Sequence, residues 1–580
     1  MTFSIQTLPS EVVNLIAAGE VIDSLAAVVR ELVENALDAG ATRLAISISP
    51  EQWRVRVADN GWGMSLGDLR CCATAHSTSK IRSYEDLWRI TSLGFRGEAL
   101  HSLATLADLQ VLSRPLVATE GWRIIYDSQG EPVVEEAAAI APGTVVTVSN
   151  LFANWAARKE KLPAMAQQLR AVQTTIYHIA LCHPNVTWQV QQRDRLWFAI
   201  SPGTTAQQIL PQILRQVRQG DLHHLVVDVP TPSNKPQGGS TMELDSSELE
   251  QETLADAKLS LVMGLPDRCH RRRPDWVKVA ANNRLVRSPE LEQAILGAFA
   301  RTVPRDRYPI CFLHLQLCPS QIDWNRHPSK AEIYLHAIGY WQEKVAQAIE
   351  KALQISPANL SEAVQSERVV TLLKASEEKG NYSVSRSIKA ENTQKSQEMG
   401  LIELKAIAQV RNTYILAEHP TGMWLVEQHI AHERVLYEQL CDRWQIVPLE
   451  PPAILSNLTP AQVEQLQRLG LDVEPFGEQR WAVRSAPAPL QAGDECTEAL
   501  LELSWGGDLQ TAQVATACRS AIRNGTSLSL PEMQDLLDQW KLTRNPRTCP
   551  HGRPIYLSLE ESALARFFKR HWVIGKSHGI

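Results

Sequence analysis

Three polar residues recur at helical spacing near the start of the chain. Glu31, Asn35 and Asp38 stand at positions i, i+4 and i+7 of a segment that also carries Leu32 and Val33. At 3.6 residues per turn, the three polar side chains share one side of a helix. Glu31 could deprotonate an attacking water there, and Asn35 could ligate a magnesium ion on a phosphate chain. Taken alone, the spacing is more typical of a solvated helix surface, so the assignment needs support from segments further along the chain.

The next segments of the chain could hold a nucleotide. Asp59 could accept a hydrogen bond from an adenine amino group, and the glycines beside it permit a tight turn close to a ligand. The run GFRGEAL begins at Gly94, where successive backbone N–H groups can converge on phosphates before a helix starts. The candidate nucleotide contacts are Asn35, Asp59, Gly61, Gly63, Ser79, Lys80, Gly94, Phe95, Arg96, Gly97 and Thr144.

Five motifs, taken in chain order, resemble the ATP-binding motifs of the GHKL superfamily, which includes the ATPase component of DNA gyrase, large heat-shock chaperones, histidine kinases and MutL proteins. They read ELVENALDAGAT, DNGWGM, HSTSKI, SLGFRGEAL and GTVVTV. HSTSKI and GFRGEAL, together with IAAGEVI at residues 16–22, look specifically like the MutL family of DNA mismatch repair. The resemblance spans roughly residues 5–150 and implies ATP and Mg²⁺ as cofactors, with Glu31 as the catalytic base.

The resemblance continues into a second segment. NNR at residues 282–284 and QIDWNRHPSK at residues 321–330 are similar to family motifs, and they imply that Lys330 reaches the γ-phosphate from a second domain. A cation supplied across a domain boundary can report whether that phosphate is present. The run LFANWAAR at residues 151–158 departs from the family's LFYNTPAR. That departure puts a local turn in doubt but touches no nucleotide contact.

The C-terminal part carries residues that suit a metal ion. His429 and Glu433 are four residues apart on a predicted helix, and Cys549-Pro550-His551 offers two further ligand types that suit zinc. These segments resemble the metal site of MutL proteins that nick DNA, whose helix reads DQHAxxExxxxE. The resemblance implies Zn²⁺ or Mn²⁺ and gives Glu433 a catalytic role. The implied ligands are Glu427, His429, Glu433, Cys518, Cys549 and His551.

Two substitutions in that helix leave a choice open. Glu427 replaces the family's aspartate and Ile430 replaces an alanine. The extra methylene of glutamate moves the carboxylate enough to matter in a two-metal site. The main hypothesis is therefore an ATP-dependent matchmaker with its own metal-dependent DNA nicking activity. The alternative is a non-catalytic, ATP-gated matchmaker that recruits other repair nucleases.

Hydrophobic periodicity predicts the elements that must position these residues. Residues 11–18 and 26–39 read as helices, the second ending before a glycine. Residues 44–49 and 55–58 alternate apolar with polar residues, as half-buried strands do. Helices followed by a mixed run of strands indicate an α/β sandwich, and no GxxxxGK[ST] phosphate loop is present in the sequence.

The chain of 580 residues is too long for one hydrophobic core, and its polar stretches indicate where it divides. The predicted fold class is α+β, with a flexible linker between two halves. The predicted domains are a GHKL (Bergerat-type) α/β sandwich ATPase at 1–210, a ribosomal-protein-like α/β transducer at 211–345 with a disordered insertion at 230–256, the linker at 346–400, and an α/β C-terminal dimerisation and endonuclease domain at 401–580.

The formal net charge of −6 argues against a protein that coats nucleic acid over its whole surface. A local basic stripe is still enough to follow DNA phosphates, and Arg271, Arg272, Arg273 and Arg284 are the candidates. No apolar run reaches the roughly 18 residues that cross a bilayer. With ten cysteines and no export signal, we expect a cytoplasmic protein without a membrane partner.

The family resemblance also implies partners: a second copy in a homodimer, a MutS-type mismatch-recognition protein, and DNA bound without sequence preference. The segment QIVP at residues 445–448 resembles motifs that contact the replication sliding clamp. Two other classes fit less well. A histidine kinase needs a phospho-accepting helix ahead of its ATPase domain, and the C-terminal half lacks the acidic cluster of a type II topoisomerase.

Overall fold

The computed structural model describes residues 8–83, 86, 89–232, 257–323, 333–354, 402–491 and 496–567. Lys330, most of the predicted insertion at 230–256 and the polar stretch at 356–398 lie outside the described residues. The described chain forms an N-terminal, a middle and a C-terminal region, each with helices and strands. This arrangement confirms the predicted mixed α and β fold class.

Two helices open the N-terminal region, α1 (Ser10–Val21) and α2 (Leu25–Asp38). Helix α2 begins after Ser24, whose Oγ accepts a hydrogen bond of 3.2 Å from the Ala27 N–H. It ends because Gly40 takes a φ of +74°, a conformation that glycine adopts without steric cost. Both predicted helices are confirmed. No single described helix is long and apolar enough to cross a membrane, and α1 and α2 meet those criteria only as a pair bent by 79°.

An eight-stranded sheet follows, in the order β5-β4-β3-β6-β2-β1-β7-β8. Its strands are antiparallel to their neighbours, except that β1 and β7 are parallel. Apolar residues of the strands and of the surrounding helices form one core. The elements are β1 (Arg43–Ser49), β2 (Arg54–Asp59), α3 (Leu66–Cys71), α4 (Ala99–Leu106), β3 (Asp108–Arg114), β4 (Gly121–Tyr126), β5 (Pro132–Ala138), β6 (Gly143–Ser149), α5 (Ala156–Glu160), α6 (Met165–Cys182), β7 (Thr187–Gln192), β8 (Arg195–Ile200) and α7 (Ala206–Ile213).

The middle region has a five-stranded sheet in the order β13-β12-β15-β10-β9. Alternate residues of its strands face opposite sides of the sheet and belong to two hydrophobic cores. Leu261 and Leu313 pack against the region's own helices, whereas Val262 and Phe312 pack on the N-terminal core. The sheet is therefore sandwiched between its helices and the N-terminal region. The elements are β9 (Leu222–Val229), β10 (Ala257–Gly264), β11 (His270–Arg271), β12 (Val277–Ala281), β13 (Arg284–Val286), α8 (Pro289–Ala298), β14 (Tyr308–Pro309), β15 (Cys311–Gln316), β16 (Ile322–Asp323), β17 (Tyr334–Leu335) and α9 (Ile338–Leu353).

The C-terminal region has a four-stranded sheet, β18-β19-β20-β24, and a three-stranded sheet, β21-β23-β22. The helix that follows β20 carries two of the predicted metal ligands, His429 and Glu433, and it starts at the strand end. The elements are β18 (Lys405–Val410), β19 (Tyr414–His419), β20 (Gly422–Glu427), α10 (Gln428–Asp442), β21 (Ile446–Ser456), α11 (Pro460–Arg468), β22 (Val473–Pro475), β23 (Arg480–Pro487), α12 (Cys496–Ser504), α13 (Leu509–Ser520), α14 (Leu530–Lys541), β24 (Tyr556–Glu560) and α15 (Glu561–Phe567).

The turn that follows α8 contacts the C-terminal region. Arg434 of α10 is buried and donates hydrogen bonds to the carbonyl oxygens of Arg301 (2.8 Å) and Thr548 (2.7 Å). The Thr548 hydroxyl in turn donates to the carbonyl of Thr302. Because a buried guanidinium needs acceptors, these carbonyls hold the turn against the loop that carries Cys549.

Candidate nucleotide and metal sites

Helix α2 carries the three polar residues that were predicted to share one side. Glu31, Asn35 and Asp38 are half-buried, whereas the core-facing residues of the helix are closed to solvent. The Glu31 carboxylate lies 3.4 Å from the Nε atom of Arg30, and Asn35 Oδ1 accepts a hydrogen bond of 3.0 Å from Lys80 Nζ. The Asn35 oxygen therefore faces a positive charge, as an oxygen that ligates a cation would.

Asp59 ends strand β2 and is held by backbone donors. Its Oδ1 accepts hydrogen bonds from the N–H groups of Gly61 (2.8 Å) and Thr144 (3.3 Å). Burial raises the pKa of Asp59 to about 6, although these two hydrogen bonds favour the ionised form. The Thr144 hydroxyl contacts Ser113 Oγ at 2.8 Å. Asp59 and Thr144, distant in sequence, are thus directly opposite each other on β2 and β6.

The predicted phosphate loop is anchored by Asp38. The Asp38 carboxylate accepts hydrogen bonds from the N–H groups of Leu93 (2.8 Å) and Gly94 (2.9 Å), and it forms a short ion pair with Lys80. Two backbone donors and an ammonium group thus converge on one carboxylate. The Asp38 carboxylate thereby fixes the start of the predicted phosphate loop.

The remaining predicted nucleotide contacts differ in their surroundings. Phe95 is buried, Arg96 lies with its guanidinium 5.8 Å from the Phe95 ring centre, and Ser79 is exposed. Gly63 and Gly97 have φ of +72° and +67°, and a Cβ atom at either position would lie within 2.6 Å of a backbone carbonyl oxygen. These two glycines are therefore required by the packing of the backbone around the site.

The four arginines predicted to contact DNA differ in exposure. Arg272 and Arg273 are exposed, and Arg271 is half-buried in a bidentate pair with a carboxylate four residues further on. Arg284 is buried instead, because its guanidinium donates to Glu34 of α2 and to a backbone carbonyl of the phosphate loop. A guanidinium held in this way does not face DNA, so the structure corrects the prediction for Arg284.

Three predicted metal ligands converge in the C-terminal region. Glu433, Cys549 and His551 each offer one ligand atom within 4.8 Å of the other two, and Glu433 and Cys549 are fully buried. His551 Nδ1 forms an ion pair with Glu433 Oε1 at 2.7 Å, and Cys549 Sγ accepts a hydrogen bond of 3.3 Å from the His551 N–H. A carboxylate, a thiol and an imidazole gathered in this way form a donor set that fits zinc.

The charges around this group are balanced by a residue that the sequence analysis did not single out. Arg553 donates a hydrogen bond of 2.9 Å to Glu433 Oε2. Burial opposes ionisation of Glu433, but His551 and Arg553 lower its pKa on balance. Contacts with Cys549 and Glu433 raise the pKa of His551 to about 9. The group is thus a buried carboxylate between two positive side chains.

The other predicted ligands are not part of this group of described residues. Glu427 is the N-cap of α10. Its carboxylate accepts a hydrogen bond of 2.5 Å from the Ile430 N–H and so caps the N-terminus of the helix. His429 Nδ1 lies 3.0 Å from the Ile522 carbonyl oxygen. Cys518 lies on α13, and burial raises its pKa, with a further contribution from a nearby carboxylate charge. Three of the six implied ligands therefore converge. Glu427 and His429 have other hydrogen-bond partners, and Cys518 is near enough for the charge of Glu433 to raise its pKa.

The N-terminal region, which holds the candidate nucleotide site, matches the family model of one class of protein. Residues 23–140 match the family model of the histidine kinase-, DNA gyrase B- and HSP90-like ATPases. That span contains α2, Asp59 and the loop anchored by Asp38. The N-terminal region is therefore an ATPase domain of the GHKL class, and its nucleotide is ATP.

The rest of the chain narrows the class to one family. Residues 238–354 match the model of the DNA mismatch repair protein C-terminal domain, and residues 407–528 match the MutL C terminal dimerisation domain. The chain is 66% identical over 580 residues to the DNA mismatch repair protein MutL of Nostoc punctiforme and 65% identical over 582 residues to that of Trichormus variabilis, with 100% of each chain covered. The chain belongs to the MutL family of DNA mismatch repair proteins, and its dimerisation domain supports a homodimer.

Solved structures resemble the N-terminal half. The N-terminal domain of a DNA repair protein aligns with 58% of this chain and 98% of its own, at 23% identity and a TM-score of 0.47. The Aquifex aeolicus MutL ATPase domain complexed with ADP aligns with 57% of this chain and 98% of its own, at 19% identity and a TM-score of 0.38.

Proposed function

We propose that this protein hydrolyses ATP with Glu31 as general base and nicks DNA with a metal ion held by Glu433, Cys549 and His551. On the ATPase side, Asn35 would ligate Mg²⁺, Asp59 would accept from the adenine amino group, and the phosphate loop would donate backbone N–H groups. Lys330 would supply a cation to the γ-phosphate from the second domain.

The observation that supports a metal is the convergence of Glu433, Cys549 and His551, whose ligand atoms all lie within 4.8 Å of one another. When bound there, zinc or manganese would activate water against a phosphodiester. The chain's own residues would bind and orient the ion. Arg553 neutralises the second oxygen of Glu433, and the contact of His429 Nδ1 with a carbonyl fixes that ring, as supporting hydrogen bonds fix the rings of metal-binding histidines.

The second candidate function is a non-catalytic ATP-gated matchmaker. It is favoured by the placement of Glu427, which is occupied in capping α10 and does not join the group of three ligands. A group of three converging ligands would hold a single ion, without the second ion of a two-metal nicking site. In that case the C-terminal region would dimerise and recruit other nucleases but would not cut.

The proposal also specifies partners. DNA would be bound through phosphate contacts of Arg272 and Arg273, which are exposed, so that binding falls steeply with salt. A MutS-type protein would deliver the mismatch signal, and the C-terminal homodimer would close its ATPase domains when ATP binds. Residues 445–448 lie at the start of β21, where they could contact a sliding clamp. The protein would act in the cytoplasm, a reducing compartment in which its ten cysteines would stay free.

One experiment separates the two candidates. The full-length protein and the variant Cys549→Ser are purified and compared for bound zinc and for nicking of supercoiled plasmid with manganese, with and without a chelator. We expect the parent to bind metal and cut, and Cys549→Ser to lose both. Cys496→Ser, which changes a half-buried cysteine outside the ligand group, is the matched control. A parent that binds zinc but never cuts would support the matchmaker, and a parent without metal would refute the site.

A further inference from the structure

One peptide group of the phosphate loop is held from both ends. The Leu93 carbonyl and the Gly94 N–H belong to the same planar peptide unit. The carbonyl accepts a short hydrogen bond from Arg284 Nη2, and the N–H donates at 2.9 Å to Asp38 Oδ2. The two anchors come from different regions, since Asp38 lies on α2 and Arg284 begins β13. The orientation of this peptide is thus fixed jointly by the ATPase domain and the middle region.

Arg284 is itself held firmly. Its side chain is 7% exposed, and its Nη2 donates a hydrogen bond of 2.6 Å to Glu34, whose side chain is 6% exposed. A buried guanidinium and carboxylate in contact neutralise each other, and either one left alone would be costly. A neighbouring contact joins the same two regions, because His183 Nε2 lies 3.1 Å from the Asn283 carbonyl oxygen.

A small cleft marks where the middle region meets the phosphate loop. Ile90, Leu93 and Phe95 line it from the loop, and Asn282 and Arg284 line it from the hairpin of β12 and β13. The hairpin therefore lies directly on the segment whose backbone donors would meet phosphates. A side chain at this place can set the direction of a backbone donor without touching the nucleotide.

We propose that Arg284 is a positioning residue for nucleotide binding, which acts on the phosphates through the Leu93 carbonyl. The inference rests on the proposed ATP site. It replaces the DNA contact expected for this residue from sequence. Loss of the Arg284 hydrogen bond frees one end of the Leu93–Gly94 peptide, so that the orientation of this peptide depends on Asp38 alone. The adenine end of the site is held by hydrogen bonds within the N-terminal sheet, at Asp59 and Thr144, and keeps its geometry.

The test compares ligands with and without phosphates. Binding of adenosine, ADP and ATP with Mg²⁺ to the full-length protein is measured by calorimetry for the parent and for Arg284→Ala. We expect the Kd of ADP and ATP to rise about tenfold, equivalent to about 1.4 kcal/mol, while the Kd of adenosine changes less than about twofold. Arg287→Ala removes an exposed arginine next to the same hairpin and should leave all three constants unchanged.

Two further variants keep the result interpretable. Glu34→Gln removes the ion pair but keeps the hydrogen bond to Leu93, so we expect a lower melting temperature with an unchanged ratio of ADP to adenosine affinity. If Arg284→Ala does not fold, Arg284→Lys keeps a cation beside Glu34 with a side chain one atom shorter, and a rise in the ratio of the ADP Kd to the adenosine Kd is again expected.

Several results would overturn the inference. An equal loss of adenosine and ADP binding would make Arg284 a general support of the fold, and no loss of either would make it irrelevant to the site. The same change of ratio in Glu34→Gln as in Arg284→Ala would assign the effect to the ion pair instead of the Leu93 hydrogen bond. A parent that binds none of the three ligands would instead refute the proposed ATP site itself.

Discussion

Recognition of the adenine base should depend on the ionisation of Asp59. Both backbone donors, from Gly61 and Thr144, use Oδ1, so Oδ2 is the oxygen left to accept from a ligand. Protonation then falls on Oδ2 and converts an acceptor into an O–H donor that faces the amino group of adenine. Because burial raises the pKa of Asp59 to about 6, this change occurs on mild acidification.

The size of the effect follows from that pKa. With a pKa of about 6, about nine-tenths of Asp59 is ionised at about pH 7 and about one-tenth at about pH 5. If only the ionised form binds, the apparent Kd rises about tenfold across this interval, and affinity is lost as pH falls. Adenosine is the ligand of choice, since it has no phosphate that titrates in the same range.

The control for this prediction is Asp59→Asn. Its amide carries a donor in place of Oδ2 at every pH, so adenosine should bind weakly and with no dependence on pH between about 5 and 7. Calorimetry at matched ionic strength measures both proteins. The reasoning is refuted if the parent shows no pH dependence, or if Asp59→Asn shows the same dependence as the parent.

Two other perturbations have defined outcomes. Glu31→Ala should abolish ATP turnover while nucleotide binding persists, because a general base acts only in the chemical step; equal turnover of variant and parent in a phosphate-release assay would remove Glu31 from that role. Gly552→Ala should lower the free energy of unfolding by about 1–3 kcal/mol more than Gly525→Ala does. Both glycines have positive φ, but a Cβ atom on Gly552 would lie 2.2 Å from Pro304 N, whereas one on Gly525 would meet no atom within 4 Å. Chemical denaturation compares the two variants, and equal losses would contradict the contact.

The helices and strands around the nucleotide site could be predicted because they are encoded locally. The polar spacing of Glu31, Asn35 and Asp38 predicted the less buried side of α2, and the alternation near Asp59 predicted β1 and β2. What spacing could not show is that Asp38 is an anchor, since its partners Leu93 and Gly94 are 55 and 56 residues away. A carboxylate on a helix has no sequence signal for a distant backbone donor.

The arginines of the middle region also show that sequence does not reveal the distant partner of a side chain. Arg284 and Arg272 have the same charge and lie in one basic stretch, but the first is buried and the second exposed. The difference arises because strands β12 and β13 bring Arg284 to Glu34, 250 residues earlier in the chain. Net charge along a sequence predicts where positive side chains are concentrated. Only the pairing of strands decides which of them meets a buried carboxylate.

The group of Glu433, Cys549 and His551 contains some, but not all, of the ligands that the motif resemblance implies. Cys549 and His551 are close in sequence and could be predicted together, and Glu433 joins them through α10. Glu427 was expected with them because it stands where the family motif has an aspartate. Its carboxylate caps α10 instead, because a side chain at the N-cap lies next to backbone N–H groups that have no partner within the helix.

One continuous segment of the middle region touches both candidate sites. It begins at Arg284, whose guanidinium holds the phosphate loop, passes through α8, and ends at Pro304, which lies against Gly552 in the loop of Cys549 and His551. Helix α8, whose backbone hydrogen bonds are internal, lies between these two contacts. The segment that holds the Leu93 peptide therefore also packs against the loop of Cys549 and His551, by a path that does not pass through the polar stretch between the halves.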